Sequence, residues 1–171
     1  MKIRRSPIIL LSFCFLFFGY GCQKHPSYNL SYREGSFCAR VEGNQFGLDF
    51  CCDIYCEGGA LSKIVYSSPA TLKNVTVRPS QNGGYEIQKD GLSGSFLRNS
   101  SAVHGLLLPA DRLLLNGFDP SFVNSVQKIS NGFILSISLP NEDQPISLSL
   151  TEDGLPTVLS GPDFSYRIRF H

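Results

Sequence analysis

Apolar and polar residues alternate with a period of two from Phe46 to Cys56, and this feature constrains the fold most. The same alternation covers 37–42, a few residues upstream. A period of two is typical of a β-strand with one buried face. The two segments are therefore predicted to be strands, and the apolar side of each must be covered by other parts of the chain.

The residues between these two strands predict a β-hairpin. Gly43-Asn44 is a turn signal, and a two-residue loop there determines which residues face each other. The predicted opposite pairs are Val41 with Phe46, Ala39 with Leu48, and Phe37 with Phe50. Because each pair sets one apolar side chain against another, the turn and the alternation agree.

The same alternation predicts further short strands along most of the chain. They occupy 60–66, 75–77, 85–87, 92–97, 133–139, 146–150, 157–160 and 164–170. Turn residues such as Gly, Asn, Asp and Pro separate them. We therefore expect an α+β domain with an antiparallel sheet of about nine strands, the first of which follow one another as a meander.

A leucine-dense segment at 102–116 interrupts the strand pattern. Pro109 divides it, and Asn116-Gly117 is typical of a helix C-terminus, so one or two short helices are expected. The following residues, 119–129, allow two interpretations, a second helix or a strand that forms a hairpin through Asn131-Gly132. Since the strands have one apolar face each, the leucine-rich insertion is the candidate to cover the sheet.

The first 22 residues have the order of a secretory signal. A basic segment, 2–5, precedes an apolar segment, 8–18, and Cys22 follows small residues. This order resembles a bacterial lipoprotein signal, whose cysteine carries a diacylglyceryl group and an amide-linked acyl chain such as palmitate. The alternatives are a plain secretory signal or an uncleaved anchor, although a membrane-spanning helix needs roughly 20 apolar residues.

The lipoprotein interpretation divides the chain into three parts. We expect a signal peptide at 1–21, a polar tether at 22–35 that begins with the lipidated Cys22, and one domain at 36–171. The protein would then be exported and lipid-anchored to the cell membrane, with its domain on the extracytoplasmic side.

Charge argues against nucleic acid as a partner. The chain has 15 Lys and Arg against 14 Asp and Glu, and three of the cations lie in the predicted signal peptide. The mature chain keeps twelve cations and fourteen carboxylates, a formal charge of −2. Without a basic run, such a chain lacks the electrostatic footprint of a nucleic-acid-binding protein.

Four cysteines remain in the predicted domain, namely Cys38, Cys51, Cys52 and Cys56. In an exported domain they allow three disulfide connectivities, and the sequence selects none of them. A metal site is disfavoured, because 51–56 has a strand pattern with no neighbouring histidine. Cys52 and Cys56 are instead expected to be small buried hydrophobic residues.

The sequence contains no recognisable catalytic motif. A nucleophile elbow, a zinc-binding HExxH segment, a phosphate-binding glycine loop and a dinucleotide-binding fingerprint are all missing. Of the three histidines, His25 lies in the predicted tether, His171 is the last residue, and His104 has no carboxylate partner near it in sequence. We therefore expect a protein that is not an enzyme and uses no cofactor or metal. The alternative is an exported enzyme whose site is assembled from distant residues.

The chain resembles the lipoprotein-carrier superfamily, the LolA/LolB-like proteins. The resemblance covers Ser36 to His171 and rests on three stretches: Phe37-x-Ala39-x-Val41-x-Gly43, Tyr66-Ser67-Ser68-Pro69-x-x-Leu72, and Leu148-x-Leu150-x-x-Asp153-Gly154-Leu155-Pro156. It implies a strongly curved half-barrel whose concave face is covered by the helical insertion. It also implies a lipid or acyl chain as ligand, or an envelope protein as partner.

In such a half-barrel, apolar side chains from the sheet and the insertion would line a cavity. The residues expected there are Phe50, Ile54, Leu107, Leu114, Leu135 and Leu148.

Overall fold

A computed structural model describes residues 27–115, 118–139 and 143–171. The predicted signal peptide, 1–21, and Cys22 lie outside the described residues. Within the described ranges, no helix is both long enough and apolar enough to cross a bilayer.

One antiparallel sheet contains eleven strands. They are β1 (Phe37–Gln45), β2 (Leu48–Glu57), β3 (Ala60–Ser68), β4 (Thr76–Pro79), β5 (Tyr85–Lys89), β6 (Leu92–Phe96), β7 (Val123–Ile129), β8 (Gly132–Ile137), β9 (Ile146–Thr151), β10 (Pro156–Gly161) and β11 (Phe164–Phe170). One α-helix, α1 (Ser101–Leu113), lies between β6 and β7 in the chain, and two short 3₁₀ turns occupy Ser31–Glu34 and Pro120–Phe122.

The first and last strands pair in the middle of the sheet. The spatial order is β6-β5-β4-β3-β2-β1-β11-β10-β9-β8-β7. Two meanders, β1–β6 and β7–β11, therefore extend outward from the β1–β11 pair. Because β6 and β7 form opposite edges, the segment that carries α1 must connect one edge to the other across a face of the sheet.

The expectation of about nine strands in a half-barrel is wrong, since eleven strands form one open sheet. The 119–129 region, which the sequence left undecided, begins with a 3₁₀ turn and continues as the edge strand β7. Asp119 starts that turn by accepting a hydrogen bond from the Ser121 amide at 2.7 Å. Most β7 side chains are exposed, so the strand lacks the alternation by which the other strands were recognised.

The predicted register of the first hairpin is also wrong. The turn lies at Phe46-Gly47, where φ is +51° and +79°, and not at Gly43-Asn44. Two consecutive residues with positive φ form the tight hairpin turn whose twist matches that of the strands. As a result Val41 lies opposite Cys52. The displacement is six residues, an even number, so each side chain stays on its predicted face.

The α1 helix packs on the apolar face of the sheet as one continuous element. Pro109 lies inside it and does not divide it as expected. Buried positions of α1 that include Val103, Leu107 and Ala110 follow helical spacing, and they join the buried side chains of the sheet in a single core. Burial of one such leucine side chain stabilises the folded chain by about 1.5–3 kcal/mol.

All four cysteines of the domain are free thiols. Cys52 and Cys56 are buried in the core, as small hydrophobic residues would be, whereas Cys38 and Cys51 are half-buried. Burial raises the pKa of the Cys56 thiol to about 11. A thiol with a raised pKa carries little thiolate at neutral pH and is correspondingly unreactive.

Phe50 and Leu48 lie on the same face of β2, but their replacement by alanine should lower the free energy of unfolding by different amounts. Phe50 is 8% exposed and packs against the Tyr166 ring at 5.3 Å between ring centroids, whereas Leu48 is 71% exposed. We expect Phe50→Ala to lower the free energy of unfolding by about 3–5 kcal/mol. Leu48→Ala, the matched control, should change it by less than about 0.5 kcal/mol. Urea denaturation of both variants measures the difference, and equal costs would contradict the assignment of Phe50 to the core.

A candidate apolar ligand groove

A groove of about 380 Å³ lies where the helix, the first hairpin and the β3–β4 connection meet. The hairpin contributes Gln45, Phe46, Leu48, Asp49 and Phe50, the end of β3 and the following loop contribute Tyr66, Pro69, Thr71 and Leu72, and the helix contributes Gly105, Leu106 and Pro109. Most of these side chains are apolar, and the volume is within the range of small-molecule sites.

Exposed apolar side chains form part of the rim. Phe46 lies in the hairpin turn and has 63% of its surface exposed. Leu48 is the first residue of β2 and has 71% of its surface exposed. The alternation of β2 places Leu48 on the same side as the core residue Phe50. The apolar face of the hairpin thus continues past the core and into the groove.

Gly105 and Pro109 shape the side of α1 that lines the groove. A proline lacks an N–H, so Pro109 cannot donate the usual helical hydrogen bond to the carbonyl oxygen of Gly105. Gln45 Nε2 donates to that oxygen instead, at 3.5 Å. A Cβ atom added to Gly105 would meet nothing within 4 Å. The absent side chain at Gly105 therefore leaves open space beside the helix.

Two tyrosines fix the helix above the sheet. Tyr66 Oη donates to the carbonyl oxygen of Leu106 at 2.7 Å, near the middle of the helix. Tyr32 Oη donates to the carbonyl oxygen of Leu113 at 2.7 Å, at its end. Burial raises the pKa of both phenols above their ordinary value. Each phenol therefore keeps the proton that it donates to well above neutral pH.

A buried polar network links the groove to the centre of the sheet. Tyr166 Oη on β11 donates to Gln45 Oε1, and Arg112 Nη1 donates to Tyr166 Oη at 3.3 Å. The Arg112 guanidinium also lies 3.6 Å from the centroid of the Phe164 ring, a cation–π distance. Gln45 belongs both to this network and to the groove lining, so its amide is held in place by β11 and the helix.

The segment 28–35, which falls within the predicted tether, packs against the domain. Arg33 Nε donates to the carbonyl oxygen of Leu114 at 2.8 Å, and Arg33 Nη2 to that of Leu115 at 3.2 Å. The guanidinium lies 5.1 Å from the centroid of the Phe118 ring. This segment therefore provides hydrogen-bond donors for the C-terminal end of α1.

One of the six predicted cavity residues lines the groove. Phe50 does so, while Ile54, Leu107, Leu114, Leu135 and Leu148 lie in the packed core. The sequence analysis missed Leu72, Leu106 and Pro109 as lining residues. A glycine and a proline four residues apart in a helix were the available signal, since that spacing removes both a side chain and a hydrogen bond from one side of the helix.

The groove lining contains few groups that could carry out chemistry. Among the described residues of the lining, Asp49 is the one acidic residue, and there is no Lys, Arg, His, Ser or Cys. His104 lies on the exposed side of the helix. Among the described residues no group of His, Cys, Asp and Glu could hold a metal ion. The arrangement suits binding of an apolar molecule.

Two further cavities are more polar. One, of about 450 Å³, has Glu42, Asp49 and Arg167 in its lining. The other, of about 650 Å³, has Arg33 and Glu34 in its lining, next to the segment that caps the helix. Neither has a lining as apolar as that of the first groove, so we take the first groove as the candidate site.

The buried phenols predict a loss of stability at alkaline pH. The folded chain keeps the protons of Tyr32 and Tyr66 at a pH where the unfolded chain, with an ordinary tyrosine pKa of about 10, has lost them. Their stabilising contribution is complete below about pH 10 and decreases as the pH rises further. Urea unfolding between about pH 8 and about pH 12 should show this decrease, and Tyr66→Phe should make it less steep.

The buried thiols of Cys52 and Cys56 add a pH dependence of stability in the unaltered chain and in Tyr66→Phe alike. The difference in steepness between the two proteins therefore reports on Tyr66. A decrease of the same steepness in Tyr66→Phe and in the unaltered chain would contradict the prediction.

Comparison with known proteins shows a likeness in fold. No protein-family model and no curated protein matches the chain. Among solved structures, an uncharacterized conserved protein from Thermus thermophilus matches with a TM-score of 0.50 and 8% identity, over 83% of each chain. A LolA superfamily protein from Nitrosomonas europaea matches with a TM-score of 0.35 and 7% identity, over 81% of this chain and 84% of that one. At 8% identity the first match concerns the fold alone, and a TM-score of 0.35 is too low to assign the chain to a superfamily.

Proposed function

We propose that this chain is an exported lipoprotein, anchored through Cys22, whose domain binds an apolar, lipid-like ligand in the groove and catalyses no reaction. The observation that carries the proposal is the groove of about 380 Å³ between α1 and the first hairpin. The resemblance of three sequence stretches to LolA/LolB-like proteins supports the same ligand class.

The groove has the features of a binding site that exists before its ligand arrives. Its floor is the buried Phe50 and Tyr66, whose ring centroids lie 6.3 Å apart. Its helical wall is held by the hydrogen bonds of Tyr66 and Gln45 to helix carbonyls. A site that needs little rearrangement loses little conformational entropy when a ligand binds.

The position of the first described residues supports an anchor close to the domain. Ser27 follows Cys22 by five residues. Such a length reaches at most about 18 Å, whatever its conformation. Since Tyr32 and Arg33 are bound to the end of α1, a lipid on Cys22 would keep the domain near the membrane surface.

Filling the groove from the helix should abolish ligand binding. Gly105→Trp places a large side chain in space that is open beside the groove, and replacement of a helical glycine does not by itself destabilise a helix. We expect the variant to lose at least tenfold in affinity for the neutral apolar probe N-phenyl-1-naphthylamine, measured by fluorescence titration.

His104→Trp is the matched control, because His104 is the exposed neighbour of Gly105 and does not line the groove. This control should bind the probe as the unaltered chain does. Equal binding by both tryptophan variants would contradict the groove as the ligand site.

Removing the predicted lipidation site should release the chain from membranes or block its maturation. Cys22→Ala tests this, because the thiol is the atom to which the diacylglyceryl group would be attached. Cys14→Ala, inside the apolar segment of the signal, is the control and should leave processing unchanged. Cell fractionation and mass measurement of the mature chain provide the readout. Normal processing and membrane retention in Cys22→Ala would contradict the anchor.

A further inference from the structure

We infer that the edge strand β6 pairs with β6 of a second copy of this chain, in an antiparallel dimer whose two-fold axis passes through Gly94. The inference is independent of the groove and of the proposed function, because it rests on the edge of the sheet alone. It follows from the unprotected backbone of β6, from the exposed apolar side chains of that strand and from the charges at its two ends.

The two edges of the sheet differ in their protection against further strands. An edge strand exposes unpaired backbone N–H and C=O groups, and natural proteins usually block them with charged residues, proline or bulges. The edge strand β7 contains Lys128 and a register shift between Val123 and Ser125. The edge strand β6, with the sequence LSGSF, has neither a charge nor a proline, and it pairs with β5 in an unbroken register. The edge at β6 is therefore open to a further strand.

The backbone groups that β6 presents at this edge belong to Ser93 and Ser95. Asp90-Gly91 forms the two-residue turn between β5 and β6, so the flanking residues Lys89 and Leu92 are a hydrogen-bonded pair. Hydrogen-bonded and non-hydrogen-bonded pairs alternate along an antiparallel ladder. Ser93 and Ser95 therefore direct their N–H and C=O groups away from β5.

An antiparallel pair centred on Gly94 uses these groups. Each Ser93 would lie opposite Ser95 of the second copy, and the two residues would exchange both backbone hydrogen bonds. The two copies of Gly94 would face each other at the axis, as a non-hydrogen-bonded pair. The symmetry of the contact thus agrees with the alternation that the β5–β6 hairpin already determines.

The same register buries exposed apolar side chains. Leu92 is 79% exposed and Phe96 is 38% exposed, and both lie on the face that continues from the buried Tyr85. Each Leu92 would lie opposite Phe96 of the second copy in a non-hydrogen-bonded pair, where side chains approach most closely. The Phe96 ring lies over its own Gly94, with an atom 3.0 Å from the position of an added Cβ, so the ring leans toward the proposed axis.

Charges at the two ends of the strand favour the same register. The segment 90–98 reads DGLSGSFLR, and its two charged residues, Asp90 and Arg98, are each four residues from Gly94. The two-fold axis would therefore bring Asp90 of each copy level with Arg98 of the other. Within the described residues neither side chain forms an ion pair. Complementary charges on opposite sides of a contact fix its register and orientation.

The contact is self-complementary and closes after two copies. Because β6 pairs over five residues, the interface is below the standard size of a stable complex, and we expect a dissociation constant in the micromolar range. Sedimentation equilibrium of the full chain in nonionic detergent, between about 1 μM and about 500 μM, should show a monomer and a dimer that exchange with concentration.

A proline in β6 should prevent the dimer without opening the sheet. Ser95→Pro removes an N–H that would donate to the second copy and that makes no bond to β5, a position where an edge strand tolerates proline. We expect this variant to stay monomeric over the whole concentration range, with an unchanged circular dichroism spectrum. Ser95→Ala is the matched control, since it keeps the N–H, and it should dimerise as the unaltered chain does.

A charge reversal tests the ends of the strand at a residue that does not pack in the core. Arg98→Asp would set a carboxylate level with Asp90 of the second copy and should weaken the dimer at least about tenfold. Asp90→Asn in the same chain removes this repulsion and should recover part of the loss. Lys128→Asp makes the same change of charge on the other edge strand and should leave the dimer unchanged.

Cysteine cross-linking tests the register in the membranes of the cells that express the chain. Leu92→Cys and Phe96→Cys, expressed together, should form a disulfide-linked dimer after addition of an oxidant, because the two positions lie opposite each other within disulfide distance. Either variant alone should not, since its two cysteines would be four residues apart in register, about 13 Å. The unaltered chain controls for the native thiols.

The outcomes decide the inference without involving the groove. A chain that stays monomeric at all these concentrations, assemblies of more than two copies, or a dimer that survives both Ser95→Pro and Arg98→Asp would overturn it. Cross-linking of either cysteine variant alone as efficiently as of the two together would also overturn it. Binding of N-phenyl-1-naphthylamine by Ser95→Pro should equal that of the unaltered chain, so the proposed function stands or fails separately.

Discussion

The antiparallel pairing of β1 with β11 is the contact on which the rest of the structure depends. It joins Ala39 to Phe170 and Gln45 to Phe164 in one continuous register, although these residues are far apart in sequence. Gly43 makes this close approach feasible, because a Cβ atom there would lie 2.0 Å from the backbone oxygen of Ser165. Since every other strand pair joins neighbours in sequence, this pair alone unites the two meanders in one sheet. Such a long-range pair is also the entropically costly one to form.

The helix depends on that central pair in turn. The last carbonyl groups of a helix have no partners within the helix and need donors from elsewhere. Tyr32 and Arg33, just before β1, supply these donors to Leu113, Leu114 and Leu115. A positive charge there is also favourable for the helix dipole. The same residues continue directly into β1, so the strand at the centre of the sheet and the end of the helix are positioned by one stretch of chain.

The sequence predicted what depends on local pattern and missed what depends on distant contacts. Alternation identified the apolar face of β2 correctly, with Phe50 and Ile54 buried. It left 119–129 open between a helix and a strand, because the apolar residues Phe122, Val123, Val126 and Ile129 follow helical spacing and most β7 side chains are exposed. The hairpin turn was misplaced because Gly43 suggested a turn, whereas it serves a close approach to β11. The groove was missed for a similar reason, since three segments distant in sequence contribute to it.

The groove depends on where the first hairpin turns. Had the turn been at Gly43-Asn44, Phe46 and Leu48 would be paired within the sheet and covered by it. With the turn at Phe46-Gly47, the strands extend further and carry these two apolar residues beyond the core. Gly105 leaves open space beside the helix, and Gln45, at the end of β1, donates to the Gly105 carbonyl oxygen that Pro109 leaves without its helical donor. The extended hairpin therefore leaves the apolar surface of Phe46 and Leu48 uncovered, and Gly105 has no side chain with which the helix could cover it. An apolar ligand of the kind proposed would bury that surface, and this burial is the main favourable contribution that the site can make to binding.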